Sequence, residues 1–115
     1  MANTFKVITK AGVTSLDVIY TAASSTTTVV LGLVLGNTTG SQVTSTVTLN
    51  TDTAARSGAN DEANQAVELV TNAPIPAGSS LELLSGNKVV LETTDEIKVS
   101  ATGAVDVALS IMEIT

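Results

Sequence analysis

The feature that most constrains the fold of this chain is its content of β-branched side chains. Thr occurs 19 times, Val 15 times and Ile 6 times, so about a third of the 115 residues are β-branched. Such side chains are stiff at χ1 and fit the pleated surface of a sheet better than a helix. Between Gln42 and Leu49, apolar and Thr side chains alternate with period two, the pattern of a half-buried antiparallel strand. The sequence therefore predicts an all-β protein.

Strand-like segments recur along the chain and are separated by turn signals. The first of them, Phe5–Lys10, alternates in a way that predicts one solvent-facing side. About eight or nine short strands at this spacing are typical of an antiparallel β-sandwich or a jelly-roll-like barrel. The length leaves no room for a second independent core, so we expect a single β-sandwich domain spanning residues 1–115.

Several segments carry more detailed predictions. Thr27–Leu35 has apolar residues on both faces, which indicates a central strand covered on both sides. Ser80–Leu84 and Lys88–Glu92 flank a Ser-Gly-Asn triplet, which predicts a tight hairpin. Both prolines fall within Asn72–Gly78, which predicts a turn. Asn50–Asn64 has no large apolar residue and is interpreted as the longest loop.

The absence of Cys, His and Trp excludes several classes of chemistry. Disulfide scaffolds, zinc fingers and nucleophiles that depend on Cys or His cannot be built from this chain. Phe5 and Tyr20 are the only rings and the formal charge is −6, so both stacking and electrostatics disfavour nucleic-acid binding. We predict no catalytic residue, no cofactor site and no metal site, and hence a protein that is not an enzyme.

The remaining polar motifs favour ordinary structural roles. Asp61-Glu62 and Asp95-Glu96 are the adjacent carboxylate pairs, and neighbours on a strand point to opposite faces, so neither pair converges by spacing. Asn60–Asn64 offers oxygen ligands suited to calcium but lacks the order of a dedicated loop, so ion binding there stays open. Asn37-Thr38-Thr39 fits the glycosylation triplet by chance. Arg56 is either a plain exposed residue or an interface anchor.

Neither a membrane span nor an export signal is predicted from the sequence. The longest apolar run is Val29–Leu35, whereas a spanning helix needs about 20 residues. The N-terminus has no apolar stretch after a basic start, so it does not read as a secretory signal. We therefore expect a soluble protein that is made in the cytoplasm and has no membrane partner.

Five segments together resemble the small Thr- and Val-rich virion proteins of tailed bacteriophages: Ala22–Gly32, Pro74–Leu81, Gly86–Glu92, Asp95–Ile97 and Val107–Glu113. The resemblance implies a non-enzymatic β-sandwich protein of the virion, most simply a capsid decoration (cement) protein on the outer capsid surface. Its implied partner is the major capsid protein, or another virion protein if the chain is a tail or neck subunit. Since decoration proteins often occupy three-fold positions, the resemblance also implies a homo-oligomer, with a trimer as the expected form.

Physical reasoning also favours an assembly protein. A domain of this length with only two aromatic rings has a thin core of Val, Leu, Ile and Ala, which gives modest monomer stability. Burial against copies or a shell would raise that stability. The alternative of another class is a free ligand- or glycan-binding β-sandwich module, which the absence of Trp weakens; a small hydrolase is weakened by the absence of His. We expect the partner contact at residues 1–4 or Asn50–Asn64 and not on the Thr-rich strand faces, because loops on a rigid scaffold usually carry binding residues.

Overall fold

The computed structural model describes residues 2–51, 66–83 and 88–115, which form nine β-strands and no helix. The strands are β1 (Asn3–Val13), β2 (Asp17–Thr21), β3 (Thr27–Asn37), β4 (Val43–Asn50), β5 (Ala66–Ile75), β6 (Ser80–Leu83), β7 (Val89–Leu91), β8 (Glu96–Ala101) and β9 (Val105–Ile114). The all-β prediction is confirmed. The predicted loop falls almost wholly outside the described residues, together with Arg56 and the Asn60–Asn64 candidate ion site.

The strands form two antiparallel sheets that pack face to face. Sheet 1 has the order β1-β9-β3-β6, and β7 also pairs with β3. Sheet 2 has the order β2-β8-β4-β5. This arrangement confirms the predicted β-sandwich and sets β1 and β2 at the edges of their respective sheets.

The core between the sheets consists of aliphatic side chains at alternating strand positions. Burying each of them stabilises the fold by roughly 1.5–3 kcal/mol before entropy is counted. On β9 the period-two pattern predicts the buried side correctly, because Val105, Val107, Leu109 and Ile111 are all buried. The complete buried cluster is Val13, Ile19, Ala22, Val30, Leu33, Leu35, Val43, Val47, Ile75, Leu91, Ile97, Val99, Val105, Val107, Leu109 and Ile111.

The prediction of a tight hairpin between Ser80–Leu84 and Lys88–Glu92 is wrong. β6 pairs with Leu33–Gly36 and β7 pairs with Thr28–Val30, both antiparallel to β3. The two strands thus follow one another along the same edge of β3 and run in the same direction. The Ser-Gly-Asn triplet predicts a reversal of the chain, but the strands on either side of it lie in line.

The predicted turn at Asn72–Gly78 begins later than expected. β5 continues to Ile75, and Pro74 lies opposite Thr44 on β4. A proline is tolerated here because β5 is the edge strand of sheet 2, where its missing N–H leaves no ladder bond unmade. The reversal follows at Pro76, whose carbonyl accepts a hydrogen bond from the Ser79 N–H at 3.1 Å.

Candidate interaction surface

The outer face of sheet 1 brings apolar side chains from four strands into one layer. Phe5 on β1 lies opposite Met112 on β9, Met112 lies opposite Val29 on β3, and Val29 lies opposite Val90 on β7. Residues directly opposite one another in a sheet share a face, so this row crosses the whole sheet. We call the outward side chains of sheet 1 the apolar face: Phe5, Val7, Val29, Val34, Val90, Ala108 and Met112.

The apolar face is open to solvent. Phe5 is 72% exposed, Val7 59%, Val90 53% and Val34 39%. The prediction that Thr27–Leu35 is covered on both sides is therefore wrong, because β3 is central in its sheet yet its outward residues have no layer over them within the described chain. Single exposed apolar residues are ordinary in a monomer, whereas a contiguous group marks an interaction surface.

The outer face of sheet 2 has the opposite character. Thr46 on β4 lies opposite Ser100 on β8, and Thr48 lies opposite Lys98. Glu68 on β5 also lies opposite Thr48. This face is therefore mainly polar, as expected of a sandwich surface that stays in water, and Val18 on β2 is an exposed apolar residue on it. Because the two outer faces differ in this way, we take the outer face of sheet 1 as the candidate interaction surface.

One end of the apolar face holds a depression of about 420 Å³. Gly36, which has no side chain, and Ala108, whose side chain is a methyl group, leave space there, and Val34 and Thr9 line it as well. At its margin the Asp106 carboxylate accepts a hydrogen bond from the Gly12 N–H at 3.0 Å. Because Gly12 has a φ of +69°, this bond stabilises the irregular end of β1.

A polar cluster joins the two sheets at the edge where β1 and β2 meet. The Tyr20 hydroxyl on sheet 2 donates to Glu113 Oε2 at 2.6 Å on sheet 1. It also lies 2.8 Å from Thr28 Oγ1, and because a phenol has one proton, the Thr28 hydroxyl is the donor of that second bond. Lys6 Nζ lies 2.7 Å from Glu113 Oε1, so both carboxylate oxygens have partners.

The environment of this cluster shifts the pKa of two groups in opposite directions. Burial, together with the hydrogen bond to Glu113, raises the pKa of Tyr20 to about 12. The Lys6 ammonium, and after it the Tyr20 hydroxyl, hold the pKa of the Glu113 carboxyl below its usual range. The ionised carboxylate and the neutral phenol are thus both stabilised at neutral pH. This arrangement connects the sheets and leaves no group activated as a base or nucleophile.

A second ion pair crosses the same edge, where Lys10 Nζ lies 2.9 Å from Asp17 Oδ2. Elsewhere, the adjacent carboxylates Asp95 and Glu96 have separate roles. Asp95 is buried and accepts a hydrogen bond from the Glu92 N–H at 3.0 Å, while Glu96 accepts one from the Thr21 hydroxyl at 3.3 Å. Within the described ranges, no group of three acidic side chains converges as metal ligands.

Asn37 has a structural role at the end of β3. Its side-chain N–H groups donate to the carbonyls of Ser41 at 2.8 Å and Ile75 at 2.9 Å, and its oxygen accepts from the Thr39 N–H at 2.9 Å. The residue is 5% exposed. The Asn37 amide thus holds the end of β3 against the segments that contain Ser41 and Ile75.

The sequence shows that one side of β1 is apolar, but it does not show that this side faces solvent. Phe5 and Val7 alternate with Lys6 and Lys10, a pattern that normally directs the apolar side inward. In the structure the two lysines lie on the side that faces sheet 2, while Phe5 and Val7 face out. Lys6 pairs with Glu113 on its own sheet, and Lys10 pairs with Asp17 on sheet 2. The pairing of β1 with β9, which a local pattern does not reveal, decides which side is buried.

Comparisons with family models, curated proteins and solved structures find no match to this chain. Across the parts of the chain that the structure covers, no helix is long and apolar enough to cross a membrane.

Proposed function

We propose that this protein is a non-enzymatic structural component of a bacteriophage virion, and specifically a capsid decoration protein that binds major capsid subunits through its apolar face. The observation that carries the proposal is the exposure of Phe5, Val7, Val34 and Val90 on one side of the sandwich, where Phe5 and Val90 belong to the apolar row that crosses sheet 1. The opposite side is mainly polar. A protein with two such unlike faces is suited to lie flat on a larger assembly.

The chemistry of the apolar face supports a partner surface of complementary chemistry. The charged residues on the outward side of the paired strands of sheet 1 are Glu82 on β6 and Asp106 on β9, both exposed and both acidic. The complementary surface on a capsid subunit is therefore an apolar patch bordered by Lys or Arg. Apolar contact supplies most of the affinity, and the border charges supply orientation and association rate.

This proposed site differs from the one expected from the sequence. Residues 3 and 4 lie within β1, paired with Ile114 and Glu113, so they belong to the sheet and do not form a free arm. The other expected contact lies outside the described residues. A sheet face is a rigid surface with side chains held in place, so it binds without the entropy cost of ordering a loop.

A binding assay with a matched pair of variants tests the proposal. Val34 is 39% exposed on the apolar face and Val18 is 38% exposed on sheet 2. We expect Val34→Gln to weaken co-sedimentation with purified empty capsids about tenfold, equivalent to ~1.4 kcal/mol, and Val18→Gln to leave it unchanged.

Electron microscopy of labelled protein on intact particles then locates the binding site. Label on the head supports the decoration role, whereas label confined to the tail or neck moves the protein to the alternative virion role. No binding to any part of the particle contradicts the proposal and favours a free binding module.

A further inference from the structure

The two edges of sheet 1 are built differently. One edge is formed by β6 and β7, of four and three residues, and short strands are a common protection against unwanted pairing. The other edge is β1, with 11 residues. It pairs with β9 without a register shift from Asn3 to Lys10, and in the described chain no strand pairs with its far side.

The usual protection of a long edge is weakened in β1. Exposed lysines normally keep an edge strand from pairing with another chain. Here Lys6 is held by Glu113 at 2.7 Å and Lys10 by Asp17 at 2.9 Å, on the side that faces sheet 2. Each charge is partly compensated within the same chain, so the two lysines repel an approaching strand less than free ammonium groups would, and repulsion matters chiefly where two of them are set directly opposite.

We propose that β1 pairs antiparallel with β1 of a second copy of this chain, around a two-fold axis that passes through Val7. In a symmetric pair that extends the sheet, one residue lies on the axis and faces its own copy. An axis at Lys6 would set Lys6 against itself, and an axis at Ile8 would set Lys6 against Lys10 of the partner subunit. Like charges directly opposite one another are destabilising.

The axis at Val7 avoids these directly opposite contacts and pairs Thr4–Lys10, which is all of the regular part of β1 except Asn3. It places Phe5 opposite Thr9 of the partner subunit, and Lys6 opposite Ile8 of the partner subunit. An axis at Phe5 pairs fewer residues, and an axis at Thr9 runs into the register shift that follows Lys10. The resulting dimer has one continuous sheet 1, and its two apolar faces lie side by side on the same surface.

This pairing is independent of which partner covers the apolar face. It also selects a two-fold dimer over the trimer that the resemblance implies. The pairing is measured on the purified chain without capsids, and the proposed function is measured by capsid binding of Val34→Gln. If the β1 pairing is not found, the capsid-binding result can still be interpreted, and the reverse also holds.

Disulfide trapping tests the register, because the chain has no cysteine of its own. Directly opposite residues in an antiparallel pair have Cα atoms about 4.5–5.5 Å apart, within the reach of a disulfide. We expect Val7→Cys to form a covalent dimer under mild oxidation. We expect Phe5→Cys, whose copies would lie about 13 Å apart along the strands, to stay largely uncrosslinked.

A charge test separates edge pairing from stacking of two apolar faces. Val7 is 59% exposed and Val90 is 53% exposed, both on the outer side of sheet 1. We expect Val7→Lys to weaken self-association at least tenfold in analytical ultracentrifugation, and Val90→Lys to leave it unchanged. Mixing Val7→Lys with Val7→Glu should restore the dimer, because the two new side chains face each other.

Several results would overturn the proposal. They are a monomer or a trimer as the main species of the unmodified chain, equal crosslinking of Val7→Cys and Phe5→Cys, or equal loss of the dimer in Val7→Lys and Val90→Lys. Circular dichroism of each variant is used to check that its β-structure is retained. Loss of the dimer in a variant that keeps its β-structure is then assigned to the interface.

Discussion

The Tyr20 hydroxyl on sheet 2 donates a 2.6 Å hydrogen bond to the Glu113 carboxylate on sheet 1. Tyr20 is near the end of β2 and Glu113 is near the end of β9. The bond therefore connects chain segments that are 93 residues apart. Together with Lys6 and Thr28, it closes the edge of the sandwich at which β1 is exposed. The cluster therefore connects β1, β3 and β9 of sheet 1 to β2 of sheet 2 at this edge.

The first prediction concerns the titration of Tyr20. Burial and the bond to Glu113 raise its pKa to about 12, and it is the one tyrosine in the chain. Absorbance at 295 nm during an alkaline titration should therefore show a single transition near pH 12 if the fold persists. The folded pKa lies above the unfolded value of 10.0. The contribution of Tyr20 to the free energy of unfolding should therefore be fully present below pH 10 and should be lost as the pH rises toward 12. A folded-state midpoint at pH 10 would contradict the cluster.

A second prediction concerns acid stability. The pKa of Glu113 is lowered from 4.5, so its contribution to stability is fully present above pH 4.5 and is lost as the pH falls through the lower folded value. Lys6→Gln removes the main cause of this shift. The decrease in unfolding free energy between pH 7 and pH 3, measured by urea denaturation, should therefore be smaller in Lys6→Gln than in the unmodified chain.

Lys98→Gln is the matched control for this measurement. Lys98 Nζ lies 3.8 Å from Glu96 Oε1 in a looser pair within sheet 2, and such pairs contribute little to stability. Its pH dependence should match that of the unmodified chain. An equal reduction in both variants would mean that Glu113 has no special coupling to Lys6.

The sequence predicted the fold class because strand alternation is a local property. On β9 the buried positions follow directly from period two, and at Ile97 and Val99 on β8 they do as well. The apolar face was not predictable in this way. Its row from Phe5 to Val90 is assembled by pairing of four strands that are distant in sequence, so no local window contains it.

The same limit explains the errors at particular elements. Thr27–Leu35 was expected to be covered on both sides because its composition resembles that of a buried strand, yet Val34 is exposed. An apolar outer surface and an apolar core produce the same sequence signal. The polar cluster was equally hidden, because the partners Tyr20 and Glu113 meet only after the sheets pack.

The third prediction concerns Asn37. Asn37→Ala removes the donors to the carbonyls of Ser41 and Ile75, and leaving buried polar groups unpaired costs about 1–3 kcal/mol. Urea denaturation should show a loss of this size. Thr38→Ala, which removes an exposed hydroxyl bonded to the Ala104 carbonyl at 3.1 Å, should change stability by less than about 0.5 kcal/mol. Equal effects in the two variants would contradict the role assigned to Asn37.

The last prediction uses the close approach of Gly103 to Val43. A Cβ atom at position 103 would lie 2.6 Å from Val43 Cγ1, well inside normal contact distance. Val43 is buried and β-branched, so it has little freedom to rotate away. We expect Gly103→Ala to destabilise the protein by about 1–3 kcal/mol, as overpacking does elsewhere.

Gly40→Ala is the control, because its Cβ would meet nothing within 4 Å. That substitution should be neutral or stabilise by up to about 1 kcal/mol through the unfolded chain. If thermal denaturation gave both variants the same midpoint, the tight packing of the β8–β9 turn against β4 would be disproved.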